Sequence, residues 1–468
     1  MPRLLSSRKP RGLRHIPRWL ARHRVAIVFS GLSFLFGILV TNGSQAVPSN
    51  QSPYHVVEQL GRVLVLVENY YVTPVDRSKL IEGAIKGMVA ELDPHSSYLP
   101  PTDFTEFQDD TEGHFVGIGV EVDARDGAIT VIKPIEGSPA EAAGLRAGDR
   151  IYGIDGWSTR GKPLDQVVEK IRGERGTPIR LLIQRPGVDK AFEVEVIRGD
   201  VQVKSVIAKR LDKDIAYVGI KQFQRGTHAE FVEALGNIRL ESDAPVAGLI
   251  LDMRTNPGGL VHESAQVADE LLDSGVIFST RARGRVLDEV KAKSGGVASS
   301  VKLTVLVNEF TASAAELVAG AIQDQGRGVI IGARTFGKGS VQSIVELPDG
   351  AALKLTTTLY YTPSGRTIQA EGILPNIVVQ QPRLEAGLPI AREQDIDGHL
   401  PSPDAAPGDA SKRTGRRSTT ADIVIPRDVP KNPVGRGDLA LSMAYQVLTG
   451  DVVPTNVPKN WGTARSNQ

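Results

Sequence analysis

The chain has 468 residues, 41% of them hydrophobic and 23% charged, which is enough apolar material for several cores. Its 55 Lys and Arg against 54 Asp and Glu leave a net charge of +1, so nucleic acid has no claim as the main partner. There is no cysteine, which excludes disulfides, thiolate nucleophiles and Cys-ligated metals.

Residues 1–24 are rich in Arg and Lys and hold no acid. Residues 25–40 form an uncharged, mostly apolar run, and Ser44 and Ala46 are the small residues of an export-signal cleavage site. Two outcomes stand for segment 1–46: a cleaved signal peptide, or a signal-anchor, although the run is marginal for a full span. In either case the body is exported, and in a bacterium it would lie in the periplasm or on the outer face of the inner membrane.

From there the chain changes character three times. Leu60, Val63, Leu64 and Val67, then Leu80, Ile81, Ala84, Ile85 and Met88, repeat at helical spacing and predict a helical region over 54–112. Over 113–200 the pattern turns to strands. Gly117-Ile118-Gly119-Val120 opens an alternating stretch, and Asp126-Gly127 signals a hairpin. Ser138 is set as the N-cap of a short helix, with Pro139 at its first position and Gly144 as its stop. A second helix at 164–172 and strands at 178–185 and 191–197 close this unit. Over 201–380, strands at 215–220, 247–251, 303–307, 329–331 and 341–347 alternate with helices at 228–240, 261–273 and 313–325. That alternation predicts an α/β core. In the tail, 381–468, segment 401–422 has almost no large apolar residue and is expected to be disordered or a linker. A last helix is expected at 438–449.

The residues that carry chemistry lie between 250 and 342. Ser313 falls where a strand runs into a helix, and a hydroxyl there feels free N–H donors and positive partial charge. An isolated serine at that place is more simply an N-cap. Lys338 lies between Gly337 and Gly339, whose backbone can approach other elements closely. A lysine becomes a base only when burial lowers its pKa, whereas most lysines are solvated. No G-x-S-x-G turn surrounds a serine that His262 could serve, no zinc-ligand spacing is present, and the glycine-rich stretches lack a P-loop pattern. No metal or cofactor is therefore expected.

Two resemblances follow from these residues. Segment 113–200, through Gly117-Ile118-Gly119-Val120 and the run 138–151, resembles a PDZ domain. That resemblance implies an added peptide strand whose carboxylate rests on the backbone amides of Gly117, Ile118, Gly119 and Val120. From about residue 60 to 380 the chain resembles the C-terminal processing peptidases, or tail-specific proteases, a family of serine peptidases. The motifs are, in order, 93–99 (DPHSSYL), 251–260 (LDMRTNPGGL), 308–317 (NEFTASAAEL), 335–342 (TFGKGSVQ) and 361–369 (YTPSGRTIQ). The resemblance implies a mixed α/β fold: a helical N-terminal region, a PDZ domain of β-sandwich type and an α/β protease core. It implies Ser313 as nucleophile, Lys338 as base and Gln342 as the residue orienting it. Backbone amides of Gly258, Gly259 and Ala314 would form the oxyanion hole, with Glu316, Asp324 and Thr335 in support.

Contact between Lys338 and Gln342 needs a bend, since an extended strand sets them about 13 Å apart, and Gly339 is the expected place. Arg172, ending the second PDZ helix, is a candidate contact to the protease core or else a solvated side chain. Ala315, where the family commonly has Ser, and Asn376, where it has Asp, depart from the pattern. The implied partners are protein substrates with apolar C-termini, a lipoprotein or adaptor activator, and a second copy of the chain in a homo-oligomer. The competing readings are an inactive exported PDZ scaffold and a crotonase-like acyl-transfer or isomerase enzyme.

Overall fold

The computed structural model describes residues 53–125, 127–379, 391–403, 422–424 and 437–453; the expectation for 1–46 lies outside them. Two compact units are present, Met1–Ala84 and Ile85–Gln468. The first holds helix α1 (Pro53–Tyr70) and the start of α2 (Arg77–Ala90), where Arg77 reaches back to Glu68 at 2.8 Å. The division falls inside the region read as one helical block.

The second unit begins with a departure from that block. Strand β1 (Ser97–Leu99) stands between α2 and α3 (Pro101–Glu112). Asp93 explains the break: its carboxylate accepts the His95 and Ser96 N–H groups, an Asx turn that stops the helix. Helix α3 then starts with Pro101 at its first position and ends at Gly113 in the left-handed conformation. Strand β2 (His114–Gly117) pairs with β9 (Gly199–Gln202).

Between these two strands lies a six-stranded antiparallel sheet. It comprises β3 (Val120–Arg125), β4 (Ala128–Pro134), β5 (Arg150–Ile154), β6 (Trp157–Ser158), β7 (Pro178–Gln184) and β8 (Phe192–Ile197). Alternation in β7 shows why it packs on one face: Ile179, Leu181 and Ile183 are buried, and Arg180 and Leu182 face out. The inward set meets Ala140 of α4 (Pro139–Ala142) and Val167 and Ile171 of α5 (Leu164–Ile171). Ser138 caps α4, accepting the Glu141 N–H, as its position before Pro139 predicts.

The α/β core is a seven-stranded sheet. Its order is β10 (Val206–Leu211), β11 (Ile215–Ile220), β12 (Gly248–Asp252), β15 (Lys302–Val307), β16 (Val329–Gly332), β19 (Ile377–Val379) and β20 (Asp422–Val424). All neighbours pair in parallel except the edge pair β10–β11. Within 401–422, residues 404–421 lie outside the described residues, and Asp422 opens β20 instead of extending a linker. The central strands are apolar on both faces because both are covered. Leu249, Leu251, Val305 and Val307 meet α6 (Thr227–Leu240), α7 (Val261–Leu271) and α8 (Ala314–Asp324). Ile250, Leu306 and Ile331 meet α9 (Leu439–Thr449).

A third sheet takes β18 (Ala352–Tyr361) as its centre. It pairs with β1, β13 (Val276–Ala282) and β17 (Ser340–Glu346), and β14 (Arg285–Lys291) flanks β13. Strands β13, β14 and β18 are additions to the elements the sequence pattern picked out.

The tail helix is tied to the core by charge as well as packing. Asp438 accepts the Leu441 N–H at the start of α9 and pairs with Arg254 at 2.8 Å, which also grips Asp252. Asp438→Ala should lower stability by about 1–2 kcal/mol, the usual cost of losing a cap. Asp438→Asn should cost less. Thermal unfolding of the two variants checks this, and equal losses would assign the effect to the Arg254 pair.

Candidate active site

Three neighbouring parallel strands, β12, β15 and β16, send their C-terminal loops to the same end of the sheet, the usual place for a site in an α/β fold. The loop after β12 carries Gly258 and Gly259, the loop after β15 carries Ser313, and the loop after β16 carries Lys338.

Ser313 is not in the extended conformation of an ordinary N-cap. Its φ of 54° and ψ of −119° make a sharp strand-to-helix turn that non-glycine residues avoid. That strain is held from several sides. Thr311 Oγ1 donates to the Met253 carbonyl at 2.9 Å, Ala312 N–H to the Asn256 carbonyl at 2.9 Å, and Phe336 N–H to the Thr311 carbonyl at 3.0 Å. Gly258 lies so close that a Cβ there would sit 2.8 Å from the Ser313 Cβ and 3.0 Å from the Ala314 nitrogen. Only glycine fits.

Glu316 joins the serine loop to the lysine loop. Its Oε2 accepts the Ser313 N–H at 2.8 Å and the Lys338 N–H at 2.9 Å. Its Oε1 accepts the Gly337 N–H at 2.8 Å and the Thr335 hydroxyl at 2.5 Å. Burial pushes this carboxyl up to about 7, and the four donors act against that by favouring the ionised form. Glu316 and Thr335 are both fully buried.

Lys338 precedes β17 in a tight loop. A Cβ on Gly339 would meet the Gln369 backbone nitrogen at 2.4 Å, so this loop also admits only glycine. The Lys338 ammonium makes no ion pair or hydrogen bond among the described residues. Burial lowers its pKa, the Lys354 charge lowers it further, and Glu393, Asp93 and Glu316 pull it back up.

Gln342 sits just past a register shift in β17, and its Nε2 donates to Ser340 Oγ at 3.0 Å and Thr356 Oγ1 at 3.3 Å. No bond joins it to Lys338 among the described residues. The Gly258 N–H is a correction to the three amides expected in the oxyanion hole, because it already donates to Asn256 Oδ1 at 2.9 Å. The Gly259 and Ala314 N–H groups have no acceptor among the described residues. Asp324 is not at the site. It ends α8, about 16 Å along the helix from Ser313 at 1.5 Å per residue, and accepts Ser364 N–H at 3.0 Å while pairing with Arg366. His262 is exposed, its ring 3.6 Å from Glu263.

Away from this end, Ile118 and Gly119 shape a groove beside edge strand β3. Their carbonyls point inward, accepting from Ala140 N–H and Ile135 N–H at 2.7 and 2.9 Å. In planar trans peptides the N–H groups of Gly119 and Val120 therefore face the other way. A cavity of about 120 Å³ lies there, lined by Phe115, Gly117, Ile118, Val120, Val168 and Arg172 among others. It is the volume of about four waters and so accepts one aliphatic side chain. Arg172 borders it with a half-exposed side chain, 4.0 Å from Glu106 of α3, and has no ion pair to the seven-stranded core among the described residues.

Comparison with known proteins decides the family. Residues 214–379 match the model of peptidase family S41, 130–185 that of a PDZ domain, and 40–102 that of the activating protease CtpB N-terminal domain. A carboxy-terminal-processing protease of Bartonella bacilliformis is 39% identical over 444 residues, 93% of this chain and 98% of that protein. The chain belongs to peptidase family S41. It is a serine-type peptidase with a PDZ domain. A probable CtpA-like serine protease of Staphylococcus haemolyticus is 38% identical over 68% of this chain and 64% of its own length. A solved structure, the photosystem II D1 C-terminal processing protease, is 30% identical over 69% of this chain and 86% of that one, with a TM-score of 0.43.

For the peptidase core, Lys338 has a testable energetic signature. Its folded-state pKa is depressed, so the unfolded chain binds its proton more tightly. The resulting cost to stability is present in full below the folded pKa and fades as pH rises to the ordinary value of 10.5. Lys338→Met should therefore melt higher than the wild type at acidic and neutral pH, and the gap should close towards pH 10.5. A pH-independent gap would mean that burial does not perturb the lysine.

Proposed function

We propose that this S41 peptidase cleaves exported proteins near their C-termini with a Ser313–Lys338 pair. The observation that carries the reading is the single Glu316 oxygen bonded to the backbone of both residues, next to a half-buried lysine whose ammonium has no partner among the described residues. Lys338, neutral, takes the Ser313 Oγ proton as Oγ bonds to the scissile carbonyl carbon. The Gly259 and Ala314 N–H groups receive the oxyanion. The Lys338 ammonium then protonates the leaving amine as the C–N bond breaks. Water attacks the acyl ester, passing its proton to Lys338, and the Ser313 oxygen leaves with a proton from the same lysine. Gln342, with its Nε2 committed to Ser340 and Thr356, offers Oε1 to the ammonium.

The PDZ groove reads the substrate terminus: the carboxylate on the Gly119 and Val120 amides, the last side chain in the apolar cavity. The export signal read in 1–46 sets the enzyme in the bacterial envelope, at or near the membrane. A lipoprotein or adaptor that activates it and a homo-oligomeric state remain part of this reading, in keeping with the match of 40–102 to an activating-protease domain.

Ser313→Ala and Lys338→Ala should each abolish cleavage while the protein stays folded. A peptide with a free apolar C-terminus should be cleaved roughly tenfold or more faster than its amidated form at low concentration, since a hydrogen bond to a charged group contributes about 1.5–3 kcal/mol. Near-normal turnover by the lysine variant would overturn the pair. Equal rates for the two peptides would overturn terminus reading and leave a general endopeptidase.

A further inference from the structure

One fully buried carboxylate has no place in the mechanism above. Glu393 lies in the short segment 391–403, far along the chain from the site residues, yet it is 0% exposed. Its surroundings form a clasp on the lysine loop. The Arg392 Nε donates to the Thr335 carbonyl at 3.2 Å, and the Glu393 N–H to the Phe336 carbonyl at 3.2 Å. Glu393 Oε1 accepts from Gln369 Nε2 at 2.8 Å, and Gln369 Oε1 accepts the Gly339 N–H at 3.0 Å. The clasp thus touches residues 335, 336 and 339, on both sides of Lys338.

The other flank is built from the turn after α2. His95 Nε2 donates to Glu393 Oε2 at 2.7 Å. Asp93 accepts from Ser96 Oγ at 2.7 Å and from Thr356 Oγ1 at 3.1 Å, and Thr356 holds Gln342. Glu393 is thus bonded to the Lys338 loop and Asp93, through Thr356, to Gln342, and both favour the Lys338 ammonium, as Glu316 does. Burial pushes Glu393 and Asp93 up, and their hydrogen bonds more than offset it, leaving both below the ordinary carboxylate range. Against these three stands Lys354 of β18, half-buried with its ammonium 5.6 Å from the Phe107 ring centre.

We propose that Glu393, clasped to the 335–339 loop and braced by His95 and Gln369, is a positioning residue that sets the protonation of Lys338, with Lys354 as its electrostatic counterweight. The proposal rests on Lys338 being the base. A carboxylate clasped to the loop on both sides of a lysine favours its ammonium, and a second ammonium disfavours it. The clasp therefore fixes the pH at which the neutral lysine becomes available, and couples it to the docking of a segment outside the peptidase core proper.

The test is the pH dependence of kcat/KM for one unstructured peptide, with the full exported chain. Activity needs neutral Lys338, so its pKa is the acid limb. Glu393→Gln removes a negative charge and should move that limb to lower pH, by roughly half a unit or more. Lys354→Met removes a positive charge and should move it to higher pH. Gln369→Met breaks the bridge to Gly339 without changing charge, so it should lower kcat and leave the limb in place. If Glu393→Gln fails to fold, the Lys354→Met limb still decides the electrostatic claim. Limbs that superimpose on the wild type in folded variants overturn the proposal. Activity surviving in Lys338→Ala would instead overturn the reading on which it rests.

Discussion

The site depends on one buried carboxylate. Glu316 has two oxygens and four donors, so every lone-pair direction in its plane is used. A buried acceptor with this many donors is expensive to disturb, because each loss strands a buried N–H or O–H. It also spans the loops after β15 and β16. The strained φ of Ser313 and the turn at Lys338 are therefore set by the same group, and neither loop can relax alone. A backbone strain of this kind costs about 1–3 kcal/mol and persists only where the surroundings over-determine it. Here they do: Thr311, Ala312 and Phe336 tie the serine turn to the β12 loop and to the lysine loop.

The sheet makes that convergence geometric. Parallel strands place successive loops at one edge, so three segments far apart in sequence meet without a long connection. Small residues then let them close. Gly258 abuts Ser313, Gly339 abuts Gln369, and Ala314 and Ala315 are wholly buried at the start of α8. The departure at Asn376 is absorbed locally, since its Oδ1 accepts the Ile330 N–H at 2.9 Å. On the far face, α9 covers Ile250 and Leu306, and its cap residue Asp438 holds Arg254 at the root of the β12 loop.

Much of this was legible in the chain. Apolar runs at 215–220 and 303–307 fix central strands, and Ser138-Pro139 fixes a helix start, because these signals are local. The third sheet was legible in part: β17 overlaps the strand expected at 341–347, and β18, ALKLTTTLYY, sets Leu353, Leu355, Leu359 and Tyr361 at even spacing, a strand signal blurred by the three successive threonines between them. The Gly258 correction was within reach, since Asn256-Pro257-Gly258 is an Asx-turn pattern whose side chain takes the i+2 amide. The clasp was not. His95 and Glu393 are 298 residues apart, and no local pattern marks either as a partner of the other.

The most direct test of the account is the rate at which a fluorophosphonate labels Ser313 in Glu316→Gln protein, with folding verified by circular dichroism. The amide keeps the side chain's shape but turns one acceptor into a donor that faces other donors. The account predicts a folded protein labelled about a hundredfold more slowly than the wild type, the scale of loss from misplacing reacting groups by about 1 Å. Labelling at nearly the wild-type rate in a folded variant would contradict it, and would mean that the serine and lysine loops hold their geometry without the shared carboxylate.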